Sequence, residues 1–392
     1  INFGILAVLK YTNMFIVTFT TFNTVDFVLP MGISFYTFQS TGYMIDVYRG
    51  VADAEKNPFR YALFVSFFPQ LVQGPISRWN DLKKSLLESH AFSWINIQYG
   101  FERILWGYFK KMVIADRAAI GLATIQSDVS VYYGAYAFVG MLLYAIDLYA
   151  DFTGGIDITI GVAQMFGITL PENFRRPFFS KSIAEYWRRW HITLCAWFKD
   201  YLFYPLSMSK WMNKVSRWLK KHVGKPVGSR FPVYFSSLTV WFVTGIWHGA
   251  SWNFVLWGVY YGLFLLLEKF VLQKYLKKIP SWLCTVYTML VVMIGWVFFS
   301  QTDFGALGHY LGTMFGIGAS GFIDKTALYY LKTGFILLLI SILMCRPAPY
   351  QYFKRLVRRR PVAAVIINLI LFALSIAYMV YNSYTPFLYA KF

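Results

Sequence analysis

Residues 232–267, PVYFSSLTVWFVTGIWHGASWNFVLWGVYYGLFLLL, run for 36 positions without an aspartate, glutamate, lysine or arginine. About twenty helical residues cross the ~30 Å of hydrocarbon in a bilayer, so this run is long enough for two spans. The turn between them is expected near His248-Gly249-Ala250. The remainder of the chain reads in the same way. It is 57% hydrophobic and 14% charged, with a mean hydropathy of +0.47, whereas soluble domains carry about 25% charged residues. There is too little polar surface here to solvate a globule of 392 residues. An array of soluble domains is excluded, and a single all-α polytopic membrane domain over residues 1–392 is expected.

Further apolar segments join the hairpin: 1–22 (interrupted by Lys10), 27–45, 61–76, 104–114, 131–150, 152–170, 280–302, 326–345 and 362–390. The 61–76 segment is short and ends in Gln73-Gly74-Pro75. It is predicted to be re-entrant or broken, which is tolerated where protein or a wet cavity satisfies the backbone. Residues 187–206 carry charges at intervals and are predicted to form a helix buried within the protein. The count comes to about ten to eleven membrane or re-entrant segments. The chain opens on Ile1 rather than methionine, so a natural N-terminus and a span or two are expected to be missing.

Lysine and arginine outnumber the acids 37 to 18, a net charge of +19 with a pI near 9.7. No nucleic-acid module accompanies this charge. In a membrane protein it collects on the cytoplasmic side, against anionic lipid. Between Lys210 and Arg230 lie seven basic residues and no acid; Lys269, Lys274, Lys277 and Lys278 follow the hairpin, and Arg346, Lys354, Arg355, Arg358, Arg359 and Arg360 form a third cluster. All three land on one side if the hairpin leaves and returns, 282–300 runs out, 326–345 runs in and 362–381 runs out. His248 is then expected at or above mid-membrane, toward the outer half. Cys195, Cys284 and Cys345 are far apart, with no metal-ligand spacing, and no metal site is expected.

Ionisable groups at membrane depth cost at least ~2.5–3.5 kcal/mol, so each asks for a reason. In Glu185-Tyr186-Trp187-Arg188-Arg189-Trp190-His191, helical spacing places Trp187, Trp190 and His191 on one face and lets Glu185 pair with Arg189. This motif reads either as an interfacial aromatic and arginine belt or as a cationic cavity wall with an imidazole at its base. His248 is the one group in 232–267 that titrates near neutrality. It is flanked by Trp247 and Trp252, with Asn253 following. A structural hydrogen-bonding histidine and a general base both fit, the latter because an imidazole pKa of about 6.5 permits proton transfer in both directions. Asp147, Asp151 and Asp157 either pair with cations or orient a histidine and line a cavity.

The runs Asp151–Asp157, Pro171-Glu172-Asn173-Phe174-Arg175-Arg176-Pro177, Ser182-Ile183, Trp187–His191, Trp197-Phe198-Lys199-Asp200-Tyr201-Leu202 and Trp247-His248-Gly249-Ala250-Ser251-Trp252-Asn253 resemble the membrane-bound O-acyltransferase family. Residues 29–39 and Phe67-Phe68-Pro69-Gln70 with Gly74-Pro75-Ile76 fit as well. The nearest branch is the bacterial one typified by the membrane subunit of alginate O-acetyltransferase. The resemblance implies a ring of tilted helices around a thin core approached from both faces, with His248 as catalytic histidine and His191 as a second functional one. It also implies a cytoplasmic thioester donor, acetyl-CoA or an acyl-carrier thioester, used as substrate with no cofactor permanently bound. The acceptor is expected to be an extracellular or cell-wall polysaccharide, reached through an extracytoplasmic acetyltransferase partner. Donor contacts are expected from Trp187, Arg188, Arg189, Trp247, Trp252, Asn253, Asp151 and Asp157. Cys195, where the family often has serine, reads as a structural thiol or an S-acyl carrier. D-alanyl transfer to teichoic acid from a carrier protein, and transport without covalent chemistry, are the competing readings.

Overall fold

The computed structural model describes residues 2–127, 131–317, 321–323, 325–345, 347–381 and 387, and among these it is helical with no strand. Its axis is the 31-residue helix Ala135–Met165, two-thirds of which is buried. Two spans were expected here, 131–150 and 152–170. Asp151, which divides those two segments, lies on one uninterrupted helix because a neighbour neutralises it, as it does Asp157. That neighbour is Trp94–Tyr108, continued through a π-helical stretch Phe109–Ala115 into Asp116–Ser127. Its lysines meet the acids directly. Lys111 Nζ is 2.7 Å from Asp151 and 2.9 Å from Asp116, Lys110 Nζ is 2.5 Å from Asp157, and Arg103 is 2.9 Å from Asp157 and 2.7 Å from Glu172.

The two helices come this close because small residues face each other. A Cβ on Gly107 would lie 2.6 Å from the Gly154 carbonyl oxygen, and one on Gly100 would lie 2.5 Å from that of Gly161. Close backbone approach through small residues is how membrane helices gain packing energy, since lipid supplies no hydrophobic drive between them.

The expected hairpin forms from Lys225–His248 and Trp252–Leu267, with the turn at 249–251. Gly258 and Gly245 set its spacing: a Cβ on Gly258 would meet the Trp241 carbonyl oxygen at 2.2 Å. The 61–76 segment is broken as expected. Its helix stops at Val65, one 3₁₀ turn covers Phe68–Gln70, and 73–77 run buried without regular structure. Protein satisfies this stretch: Thr159 Oγ1 donates to the Gln73 carbonyl at 2.9 Å, Ser77 Oγ donates to Gln70 Oε1 at 2.9 Å, and Gln73 Nε2 donates to the Phe152 carbonyl at 3.3 Å.

Among the described residues, five helices are long and apolar enough to cross a membrane: Asn2–Phe19, Ala135–Met165, Trp252–Leu276, Ser281–Ser300 and Pro361–Tyr381. A sixth is added if the bent pair 331–344 and 349–359 counts as one span. The ten to eleven membrane or re-entrant segments expected include shorter, charged or broken pieces beside these full-length spans. Residues 27–45, for example, are irregular up to the left-handed Gly32 and helical only from Ile33, and the 104–114 segment is the lysine-bearing stretch beside Ala135–Met165.

The backbone ties Gly134 N to Thr313 O (2.8 Å) and Ala135 N to Phe322 O (2.8 Å), so the long helix begins at the end where the basic-cluster threading places the outer loop. Gly318 and the tail from Tyr384, apart from Phe387, lie outside the described residues. Cysteines at the exposed Val223 and Thr302 test the orientation. The native thiols are buried or half-buried, so a membrane-impermeant maleimide should label Thr302→Cys in intact cells and Val223→Cys only after lysis. Labelling of Val223→Cys from outside would reverse the topology.

Candidate active site

The motif around His191 is built on a broken helix. Ile183–Arg189 starts under a double cap: Ser182 Oγ accepts from Glu185 N at 3.0 Å, while the Glu268 carboxylate accepts from Ile183 N at 2.7 Å and Ala184 N at 3.0 Å. A carboxylate there also meets the positive end of the helix dipole. The helix stops at Trp190. His191 then adopts the left-handed conformation (φ 46, ψ 54) before Ile192–Phe198 resumes.

The predicted common face of Trp187, Trp190 and His191 is therefore not formed, and 187–206 is not one helix. A left-handed backbone costs a non-glycine residue roughly 1–2 kcal/mol, and here a strap, residues 172–176, holds it in place. Asn173, fully buried, is the hub. Its carbonyl accepts from Ile192 N at 3.0 Å, its Oδ1 accepts from Thr193 N and Oγ1 at 3.0 Å each, and its Nδ2 lies 3.3 Å from His191 Nδ1. Thr193 Oγ1 in turn accepts from Ile76 N at 3.0 Å, locking in the broken 61–76 segment.

His248 is the last residue of Lys225–His248. Its ring stands edge-on to Trp257 (4.8 Å) and Phe299 (5.3 Å), and Trp247 lies against both histidines, 4.8 Å from His248 and 6.0 Å from His191. Gly249 is required by close approach, since a Cβ there would fall 2.2 Å from the Phe254 ring. Both histidines line one chamber of about 380 Å³. It follows a single face of the hairpin helix, through Ser237, Trp241, Thr244 and His248. Trp187 and Leu194 close its sides, and the exposed Arg188 and Lys199 stand on its rim. The helix starts at the basic loop, so the chamber runs from the basic side of the protein toward the hairpin turn.

The profile of the family described as MBOAT, membrane-bound O-acyltransferase, matches residues 53–215 and 207–302. The chain belongs to the membrane-bound O-acyltransferase family. Both histidines fall inside the match. A probable alginate O-acetylase of Pseudomonas putida is 30% identical over 423 residues, covering 100% of this chain and 83% of that protein. One from Pseudomonas syringae pv. tomato is 35% identical over 296 residues, 74% of this chain and 52% of its own length. A peptidoglycan O-acetyltransferase of Helicobacter pylori is 31% identical over 356 residues, 81% of this chain and 63% of that one. The chain thus spans little more than half the length of some relatives it matches.

In this membrane-bound O-acyltransferase, the expected donor-contact residues separate into two groups. Trp187 and Arg188 line the chamber, and Trp247 packs against both histidine rings from outside its lining. The others face elsewhere. Arg189 pairs with Glu185 at 2.5 Å, as its spacing predicted, and also donates to the Arg176 carbonyl at 3.3 Å, so it fastens the strap. Trp252 is exposed and donates to Thr18 Oγ1 at 3.1 Å. Asn253 spends its amide hydrogens on the carbonyls of Phe298 (3.2 Å) and Phe299 (3.3 Å), fixing the hairpin turn to Ser281–Ser300. It is not among the residues lining the chamber. Asp151 sits in the lysine network, and Asp157 bridges Lys110 and Arg103. Cys195 lines the chamber, with Sγ 3.6 Å from the Trp190 carbonyl it caps.

Sequence reasoning missed two groups. Asn173 carried no chemical signal beyond its motif. Lys10 was read only as an interruption of a span, yet its Nζ donates to the Trp247 carbonyl at 2.6 Å, with Tyr11 donating to that of Ile246 at 2.9 Å. Together they hold the carbonyl end of the helix that presents His248.

Proposed function

We propose that this chain is an O-acyltransferase that accepts an acyl group, acetyl in the first instance, from a cytoplasmic thioester for O-acetylation of a polysaccharide outside the membrane. The observation that carries this reading is the single chamber. Two buried histidines share it, cations stand at its rim, and its far end is the hairpin turn.

In the reaction, His248 takes the proton from an acceptor hydroxyl as that oxygen attacks the thioester carbonyl. The C–O bond forms, the C–S bond breaks, and the leaving thiolate recovers the proton from the imidazolium. His191, fixed by Asn173, orients the donor. Trp187, Trp241 and Trp247 keep water from the thioester. Arg188 and Lys199 draw an anionic donor to the rim. No resident cofactor is needed, since the thioester is already activated. The acceptor side requires a group that presents polymer hydroxyls, and an extracytoplasmic acetyltransferase partner that receives the acyl group fits that need.

Purified chain incubated with radiolabelled acetyl-CoA and an acceptor oligosaccharide tests the reading. Transfer of label, or chain-dependent thioester cleavage, supports it. Movement of intact substrate across proteoliposomes without cleavage replaces it with transport.

A further inference from the structure

Lys10 sits near the middle of Asn2–Phe19, a helix long and apolar enough to cross the membrane, with Leu6 its one fully buried residue. An ammonium at that depth is costly unless something answers its charge. Among the described residues no acid does. Its Nζ instead donates to the Trp247 carbonyl at 2.6 Å, and the neighbouring Tyr11 hydroxyl donates to the Ile246 carbonyl at 2.9 Å. Two turns on, Thr18 Oγ1 accepts from Trp252 Nε1 at 3.1 Å. This helix therefore grips the hairpin turn on both sides of His248.

The grip has an electrostatic side. Lys225–His248 is 24 residues long, and Gly249 leaves it in extended backbone (φ −171, ψ 155). The carbonyls of its last turn lack intrahelical donors and carry the negative pole of the helix. A histidine at such a pole is stabilised as imidazolium, the form with no lone pair left to take a proton. A base placed there needs the pole cancelled. Lys10 sets a positive charge on it, at the carbonyl of the residue just before His248. The other elements around the ring do not supply one. Trp252–Leu267 and Ser281–Ser300 present the uncharged Trp257 and Phe299. His191 and Cys195 line the chamber with His248, and its cations, Arg188 and Lys199, are exposed at the rim.

We propose that Lys10 is a positioning residue for His248: its ammonium neutralises the carbonyl pole on which the histidine stands and keeps the imidazole available as a base. The hydrogen bond alone does not suffice; the charge is the working part. This assignment rests on the acyltransfer reading above and adds the group that fits His248 to its role.

The test compares the full chain in nanodiscs of neutral lipid with three variants. Lys10→Gln can still donate to the Trp247 carbonyl but is uncharged, Lys10→Met neither donates nor carries charge, and Lys10→Arg does both. One readout is the pH dependence of kcat/KM for acetyl-CoA, which reports the ionisation of the free enzyme's base. The other is the ring titration of His248 by NMR on histidine-labelled protein, its signal identified by its loss in His248→Gln. In Lys10→Gln and Lys10→Met the ring should bind its proton about ten-fold more tightly. The acid limb of the rate profile should then move up by about one pH unit, so that activity lost near neutrality returns at higher pH. Lys10→Arg should follow the wild type. Lys10→Gln keeps the bond to the turn and decides the matter even if Lys10→Met fails to accumulate. A rate lowered by the same factor at every pH, or a wild-type titration in Lys10→Gln, overturns the assignment. If the ring titrates as expected but no form consumes the thioester, the contact between Lys10 and the pole stands and the acyltransfer reading falls. If the thioester is consumed with a profile indifferent to Lys10, acyl transfer stands and the assignment falls.

Discussion

His248→Ala should lower acyl transfer by about a hundred-fold or more, the usual contribution of a positioned general base, while the protein still extracts and elutes as wild type. The imidazole closes the far end of a chamber that is already open, so truncation enlarges an existing space and does not create a sealed void in the core. Trp257, Phe299 and Trp247, which surround the ring, keep their other aromatic contacts: Trp257 remains against Tyr261 and Trp296, and Trp247 against Phe35 and Phe38. Stability therefore changes little, and kcat changes greatly. Initial rates with a labelled thioester, read beside a size-exclusion profile, check both halves. Retention of about a tenth of the activity, far above the loss expected for a missing base, would make His248 structural and move the base to His191. His191→Ala should show a mixed effect, because the ring also holds Asn173 in place at the left-handed turn.

The second large effect is on folding. Asp157 receives both Arg103 Nε and Nη2, at 3.0 and 2.9 Å, and the Lys110 ammonium at 2.5 Å, all three groups being buried. Asp157→Ala leaves two cations at membrane depth with one shared acid fewer. Removing one partner of a buried ion pair costs about 3–5 kcal/mol, and here one carboxylate serves two cations. The variant should melt far below wild type in detergent or fail to accumulate. The double variant Asp157→Leu with Lys110→Met should recover most of that loss, since it removes a charge of each sign and leaves Arg103 on Glu172 (2.7 Å). A melting point for Asp157→Ala equal to that of wild type would show that the network is not holding Trp94–Tyr108 to Ala135–Met165.

Much of this was legible from the order of residues alone. The charge-free run 232–267 fixed a helical hairpin and the place of its turn, because no soluble packing accommodates so long an apolar stretch and a helix is the only local way to satisfy its backbone in lipid. The Gln73-Gly74-Pro75 break was legible for the same reason. The histidine motifs were legible as chemistry because an ionisable group at membrane depth has to be justified, and their similarity to a known family gave them roles. Which apolar segments form full-length helices was not legible. Hydropathy measures transfer to lipid, and several apolar segments here are buried against protein, where short, kinked or charged helices are as well satisfied as in water. Nor was the continuity of Ala135–Met165 legible, since Asp151 looks like a break until Lys111 arrives from forty positions upstream, with Lys110 and Arg103 meeting Asp157 two turns on.

The sequence by itself therefore determined that the chain is a helical membrane protein, that it has a hairpin ending at His248, and which imidazoles and cations are available for chemistry. Tertiary structure decided which of them meet. Helical periodicity placed His191 on a face with Trp187, but Asn173 captures the backbone of Ile192 and Thr193, and the helix breaks at the histidine. Local spacing cannot foresee that outcome, because the bonds that stabilise the break come from a strap eighteen residues away. The same strap separates the histidine chamber, lined by Arg188, from a second cavity lined by Arg175 and Arg176. Proximity in sequence gave Arg188 and Arg189 one common role, whereas packing alone sends Arg188 to the chamber and Arg189 to the strap.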